Sequence, residues 1–522
     1  IAARPTPTPI VAPPPAPAPA VKRGGHLRTA HRRTTVQFDL HDTFTIDDLG
    51  TVPLAYNSLF QTKHPKHLEI EPDLVRSWQL SPDGLTLTLK LHEGVVNHDG
   101  VPFTSRDAKF TLERLATANV RASSFFRGVW ERVEAPDDQT VVIRMREPQA
   151  ALLRKLASLN AAMYNEATFK GKDLTKTAVG TGPFRLMAHR PGEKLEYERF
   201  DRYFKRGLPY LERVSIFAIT DPATRLAAFR AQRLDIILLG SGDGILETHW
   251  REVERAHPGQ VTWLTGIHFG TRGIRFNFTR EGPWKDIRVR KALDLAIDRQ
   301  AAAQAIPIAR VGGYHVPPTG LWGLPLEEVA QWPGPRQPKD RDVGEAKRLL
   351  AEAGYPTVFR LKALCRSIVD YREFHCPFAA FELESKLGIK TELDVQESAR
   401  YIDTLRRGAF DVDFGIGFAV DADDPDMFFG PWTCDSPENY GKWCNKRFDE
   451  LYRRQQTTID RVKRNQVVIE MQRLLGEEIP FVLVWWSSRT AGWWNYVKDP
   501  PVEDRSGFYS WARRLELVWL DK

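Results

Sequence analysis

Apolar and polar residues follow two different periods along this chain. Leu85, Leu87, Leu89 and Leu91 alternate with Thr86, Thr88 and Lys90, which is the pattern of a strand with one buried face. Ser81-Pro82-Asp83-Gly84 supplies turn residues directly before it, so the segment is expected to form one arm of a hairpin in an antiparallel sheet. Further on a helical period takes over. Val289, Ala292, Leu293, Ala296 and Ile297 recur at helical spacing behind Asp286, an N-cap residue, and Arg288, Arg290 and Lys291 fall largely off that stripe. A second amphipathic helix is expected from about Glu345, with Ala346, Leu349, Leu350 and Ala353 on its buried side and Gly354 as its stop. The two patterns interleave without any repeat period, which gives a mixed α/β fold class and excludes a solenoid or propeller. Trp485, Trp486, Trp493 and Trp494 lie in strand-like sequence and are read as interlobe or core aromatics before a sugar platform.

Length changes this picture first: 522 residues exceed one ordinary core and call for two or three domains. Charge adds little, because 74 basic and 67 acidic residues are interspersed. No Lys/Arg block tracks phosphates, so no nucleic-acid partner is expected. The apolar run Phe481 to Trp486 stops at Ser487, Ser488 and Arg489, well short of the roughly 18 residues that span a bilayer. Residues 1–23 are a Pro/Ala-rich stretch without an initiator Met or a signal pattern. They are expected to be a disordered tether left after removal of a signal or anchor, which places the protein outside the cytoplasm as a membrane-tethered lipoprotein.

The four cysteines lack the Cys-x-x-Cys pairs of a structural zinc site. Cys434 and Cys444 flank a turn-forming loop containing Asp435, Ser436, Pro437, Asn439 and Gly441 and are expected to form a disulfide of about 2–3 kcal/mol, hence an oxidising compartment. A bridge between Cys365 and Cys376 remains one of the open pairings. Catalytic signatures are missing as well: there is no Gly-x-Ser-x-Gly elbow, no His-Glu-x-x-His helix and no Walker loop. The reading is a binding protein without cofactor or metal, with a peptide or glycoside hydrolase as the alternative from another class.

Several ordered motifs resemble family 5 of the extracellular solute-binding proteins. Pro72-Asp73-Leu74-Val75-Arg76-Ser77-Trp78 comes first, then Leu91-His92-Glu93-Gly94-Val95 and His98-Asp99-Gly100-Val101-Pro102-Phe103-Thr104. Gly180-Thr181-Gly182-Pro183-Phe184 and Ala296-Ile297-Asp298-Arg299 follow, and then Ala346 to Tyr355, Asp421 to Phe429 and Trp443-Cys444-Asn445. The resemblance implies a two-lobed periplasmic-binding-protein-like fold with an extra subdomain inserted in the first lobe. Lobe I is placed at 24–45, 186–272 and 500–522, the insertion at 46–185 and lobe II at 273–499, with a hinge near 272 and 500. It also implies the partners: a small peptide or other small solute, and the permease subunits of an ABC importer. The protein is expected to be a monomer that touches the membrane only through its tether. An oligosaccharide or metal chelate is the alternative ligand within the same fold.

Family members similar to dipeptide-binding proteins receive the ligand's ammonium on an Asp, which matches Asp421 in this sequence. They clamp its carboxylate with an Arg, for which Arg366 is the candidate and Arg372 the substitute. Here the sequence departs from the family pattern, since Leu364-Cys365-Arg366-Ser367 lacks the usual flanking prolines. Phe418 and Trp432 bracket the acidic segment as candidate apolar walls, and Thr45 is the candidate contact from the first lobe. Asp423, Asp424 and Asp426 are read as helix-capping or turn residues. The run lacks the Gly and Glu of a calcium loop, so no metal is expected there.

Overall fold

The computed structural model describes residues 20–35, 37–43, 46–63, 69–118, 120–238, 245–313, 315–317, 321–355, 359–416, 424–502 and 511–522. Three sheets organise them. The first, in spatial order His26–His31, Arg213–Ala218, Lys194–Arg199 and Phe184–Arg190, is antiparallel except for its parallel first pair. A second, wholly antiparallel sheet runs Val75–Leu80, Thr86–Leu91, Thr140–Arg144, Arg132–Asp137. The third has seven strands, and its centre is the long antiparallel pair Val261–Phe276 and Phe481–Trp494.

The sequence pattern explains these elements. Leu87, Leu89 and Leu91 point into the core beneath the second sheet, and Gly84 turns the chain with φ +72°, a conformation glycine adopts without strain. This is the expected hairpin. Ile287–Ala296 is the expected helix, and the Asp286 carboxylate accepts the Arg288 N–H as its cap. The second helix is longer than its apolar stripe: it runs Lys339–Glu352 rather than starting at about Glu345. Its first turn is anchored by a polar residue, because buried Asp342 accepts from Lys339 Nζ at 2.9 Å and is also bonded by Arg336. An apolar count does not register such a start.

Two of the signature motifs pack onto each other. His98 Nε2 donates to the Gly182 carbonyl at 2.9 Å, and the His98 backbone N–H donates to Gly180 O at the same distance. A Cβ at Gly182 would collide with the backbone of Ala55 and Tyr56. Burial pushes the His98 pKa down to about 4, so the ring is neutral at physiological pH.

Both disulfides are present, Cys434–Cys444 and Cys365–Cys376. Three of the four tryptophans of the last long strand are core residues, and Trp493 is partly buried. Trp485, Trp486 and Trp494 are each about 1% exposed, and Trp494 stacks on Phe229 with ring centroids 5.3 Å apart. None of these three offers an open ring face on which a sugar could stack.

Candidate functional site

The long strand pair passes from one core to another. At one end Val261 and Trp494 pack with Phe229 and Trp250; at the other, Ile274, Phe276, Val482 and Trp485 pack with Leu293 and Leu383. Between them the register slips twice, between Ile267 and Thr271 and between Arg272 and Gly273, and such irregularities bend a strand and re-aim its side chains. Gly273 has no room for a Cβ between Phe481 and the Val482 carbonyl, which explains a glycine at the second register slip.

Charged side chains converge at this bend. Arg272 Nη2 and Arg489 Nη2 both donate to Asp370 Oδ2, at 3.0 and 2.7 Å, with side-chain exposures of 5%, 8% and 11% for the three residues. Burial pushes the Asp370 pKa up, but Arg489 and Arg272 outweigh it and hold the carboxyl below its ordinary range. The Arg272 guanidinium also lies 4.3 Å from the Tyr371 ring centroid, a cation–π contact. A small crevice of about 10 Å³ beside the cluster is lined by Ile245, Leu246, Glu247, Ser488, Arg489 and Thr490 among others. Asp370 belongs to the helical turns Asp370–His375, which are held at both ends. The Cys365–Cys376 bond joins the strand before them to the helix after them, and His375 Nε2 donates to the Gly273 carbonyl at 2.9 Å. Burial, with the nearby Arg272 charge adding to it, drives the His375 pKa down to about 3.

The sequence candidates distribute around this bend. Arg366 ends the strand Arg360–Arg366 and is half-buried; its Nε donates to Ser398 Oγ at 3.0 Å and its guanidinium carbon is 5.9 Å from the Tyr401 ring centroid. Its two Nη nitrogens have no partner among the described residues. Arg372 is exposed and pairs with its neighbour Glu373 at 2.8 Å. Trp432 is 5% exposed in a core with Phe429, Phe448 and Phe481, its ring centroid 5.3 Å from that of Phe481. Asp424 caps the helix Pro425–Phe429 and binds Arg464 through both oxygens, at 3.0 and 2.7 Å. Asp426 lies in a second buried ion cluster with Lys155 and Arg464. Thr45, Phe418, Asp421 and Asp423 lie outside the described residues.

Sequence reasoning missed Arg272, Arg489 and Asp370. The available signal was a charge inside strand-like sequence at Arg272 and again at Arg489, because an ionised group in a buried strand requires a buried counter-ion. Nothing in local spacing connects them to Asp370, which is 98 residues from one and 119 from the other.

Comparison with known proteins places this geometry in a class. A family model described as bacterial extracellular solute-binding proteins, family 5 middle, matches residues 69–440. The chain belongs to that family, whose members are the non-catalytic solute-binding components of ABC importers. Membership sets aside the hydrolase alternative. Heme-binding protein A of Haemophilus influenzae is 27% identical over 82% of this chain and 81% of its own length. The dipeptide-binding protein of Escherichia coli is 26% identical over 84% and 85%. Among solved structures, the periplasmic binding protein DppA of Helicobacter pylori in complex with peptide STSA aligns with TM-score 0.80 at 22% identity, covering 96% of this chain and 99% of that one. The murein tripeptide binding protein MppA of Escherichia coli aligns with TM-score 0.81 at 20% identity, covering 96% and 99%. The fold is therefore the mixed α/β periplasmic-binding-protein fold expected from the sequence. Among the described residues no helix is long and apolar enough to cross a membrane.

Proposed function

We propose that the chain captures a small zwitterionic solute, a short peptide, in an interlobe cleft beside the bent strand pair and delivers it to the permease of an ABC importer. The observation that carries this reading is Arg366: half-buried at the end of its strand, it commits only Nε to Ser398. Its paired Nη donors remain for the two oxygens of a carboxylate, the bidentate geometry at which Arg excels. Arg372, turned outward and paired with Glu373, suits the role less. Asp421 is assigned to the ligand's ammonium, Phe418 and Trp432 to the apolar surroundings of the acidic segment, and Thr45 to the opposite lobe. Names of relatives that include dipeptides and di/tripeptides support the zwitterion class.

In this reading lobe I comprises 24–45, 186–272 and 500–522, the insertion 46–185 and lobe II 273–499. The hinge is assigned to the two lobe crossings near 272 and 500, the first of which falls at the slipped registers of the long strand pair. The protein works as a monomer held at the membrane through its Pro/Ala segment. Native mass spectrometry before and after mild denaturation, followed by titration of the stripped protein with whatever is released, tests the ligand class. A released peptide that rebinds one-to-one is expected; a rebinding oligosaccharide or metal chelate would overturn the roles of Asp421 and Arg366.

A further inference from the structure

A second ion cluster joins two parts of the molecule that have separate cores. Lys155 follows Leu152 in a short helix whose Leu152, Leu156 and Ala157 are built into the core of the inserted sheet. Asp426 sits in the helix Pro425–Phe429, whose Phe428 and Phe429 belong to the core around Phe481. Lys155 Nζ lies 2.7 Å from Asp426 Oδ2, and the two side chains are 9% and 3% exposed.

Three further contacts follow the same seam. The Ala150 N–H donates to Gln456 O at 2.8 Å, Gln456 Nε2 donates to Asp426 Oδ2 at 3.2 Å, and Arg453 Nη2 meets Glu147 Oε2 at 3.2 Å near the surface. Beside the pair, a cavity of about 350 Å³ is lined by Lys155, Asp426, Tyr452 and Gln456 among others. The seam is thus polar and incompletely packed. Separating it exposes ions to water without opening an apolar core, whereas a buried apolar interface would resist separation through its lost hydrophobic area.

We propose that the Lys155–Asp426 pair is a latch between the inserted subdomain and the second lobe, so that Lys155 is a positioning residue for ligand capture. It fixes the helix Pro425–Phe429 against the inserted subdomain and biases the lobes toward their joined arrangement before ligand binds. This rests on the two-lobed capture reading, in which 147–155 and 426–456 ride on opposite lobes. On joining, the charges recover in mutual attraction what they lose in hydration; on parting, water restores it. The balance is small enough to be reversible, and a ligand whose competent state is only partly populated binds more weakly by that fraction.

The test uses the ligand-free full chain carrying Lys176→Cys and Lys446→Cys, two positions whose side chains are 81% and 76% exposed. All four native cysteines are in disulfides, so spin labels go only to the engineered pair. Pulsed dipolar distances are compared with and without Lys155→Met. The expected result is a rise of roughly tenfold in the long-distance population, reversed by Lys155→Arg. Should Lys155→Met fail to fold, Glu147→Lys places like charges at the exposed end of the seam and is expected to shift the same distribution in the same direction by less. Distance distributions unchanged in every folded variant would overturn the latch. Because both measurements are made without ligand, they do not depend on which solute the cleft takes. The capture reading is decided separately, by titration with the released ligand.

Discussion

The two buried ion clusters differ in composition and in what they join. At the strand bend, Arg272 and Arg489 share one oxygen of Asp370, and all three lie next to elements of one sheet. At the seam, Asp424 and Asp426 face Arg464 and Lys155, two carboxylates against two cations drawn from two cores. A shared carboxylate is a single point of failure, since its removal leaves two desolvated cations together. A balanced cluster spread over two bodies loses only part of its attraction when one member goes, and its members regain water if the bodies separate. The first arrangement suits fixing a local shape and the second suits a reversible contact.

The comparison breaks most directly at Asp370. Asp370→Ala is expected to cost about 3–5 kcal/mol, the usual penalty for leaving buried ionic partners uncompensated, read as a lower urea midpoint at constant m-value. Lys155→Met, at the seam, is expected to lower the midpoint less. Equal losses would erase the distinction between the two clusters.

Next in size are the disulfides, which close loops of similar length, with sequence separations of 11 and 10. Chain entropy alone predicts about 3 kcal/mol for each. They differ in what they enclose: Cys365–Cys376 brackets Arg366 and Asp370, while Cys434–Cys444 brackets a turn whose Asn439 amide donates to Thr433 O and Trp443 O. Replacing both members of either bridge by Ser should therefore lower stability alike. Only loss of the 365–376 bridge should also weaken capture of the released ligand in isothermal titration; equal affinity in both variants would show that the bridge does not position the site.

Acid should act through neutral buried histidines, one at the bend and one between the two packed signature motifs. Native pKa values of about 4 for His98 and about 3 for His375 lie below the unfolded value of about 6.5. The unfolded chain thus takes up protons that the native state refuses. The stability contribution is fully present above about pH 6.5 and is lost as pH falls from there toward the native values, about 2 kcal/mol per ring by pH 5. His98→Gln, whose amide can still donate to Gly182 O, is expected to flatten the fall of Tm between pH 7 and 5; a slope identical to that of the parent protein would remove His98 from the account.

How much of this was legible follows from where each signal resides. The hairpin at Leu85–Leu91 and the helix behind Asp286 were readable because period, turn and cap agree within about a dozen residues. The Lys339 start was not, because ion pairs to Arg336 fix it and apolar periodicity is blind to them. The disulfide at 434–444 could be read from its loop, whereas 365–376 stayed open because spacing does not choose among pairings. Arg366 came from resemblance, but the orientation that leaves its Nη donors available depends on Ser398, 32 residues away. The clusters at the bend and the seam assemble from segments far apart in sequence, so only the folded chain brings them together.

The finest discrimination concerns two arginines in one ten-residue loop. Arg366→Ala is expected to weaken binding of the released peptide at least tenfold, about 1.4 kcal/mol, with little change in Tm, since the side chain is only half-buried and its one described hydrogen bond goes to Ser398. Arg372→Ala removes an exposed cation paired to its own neighbour, and such pairs contribute little, so affinity should hold. The reverse outcome, with Arg372 needed and Arg366 dispensable, would mean that the clamp reaches the ligand from the exposed turn rather than from the strand end. An unchanged affinity in both would point instead to the bend, where Arg272 and Arg489 are anchored by Asp370 and Arg489 lines the crevice.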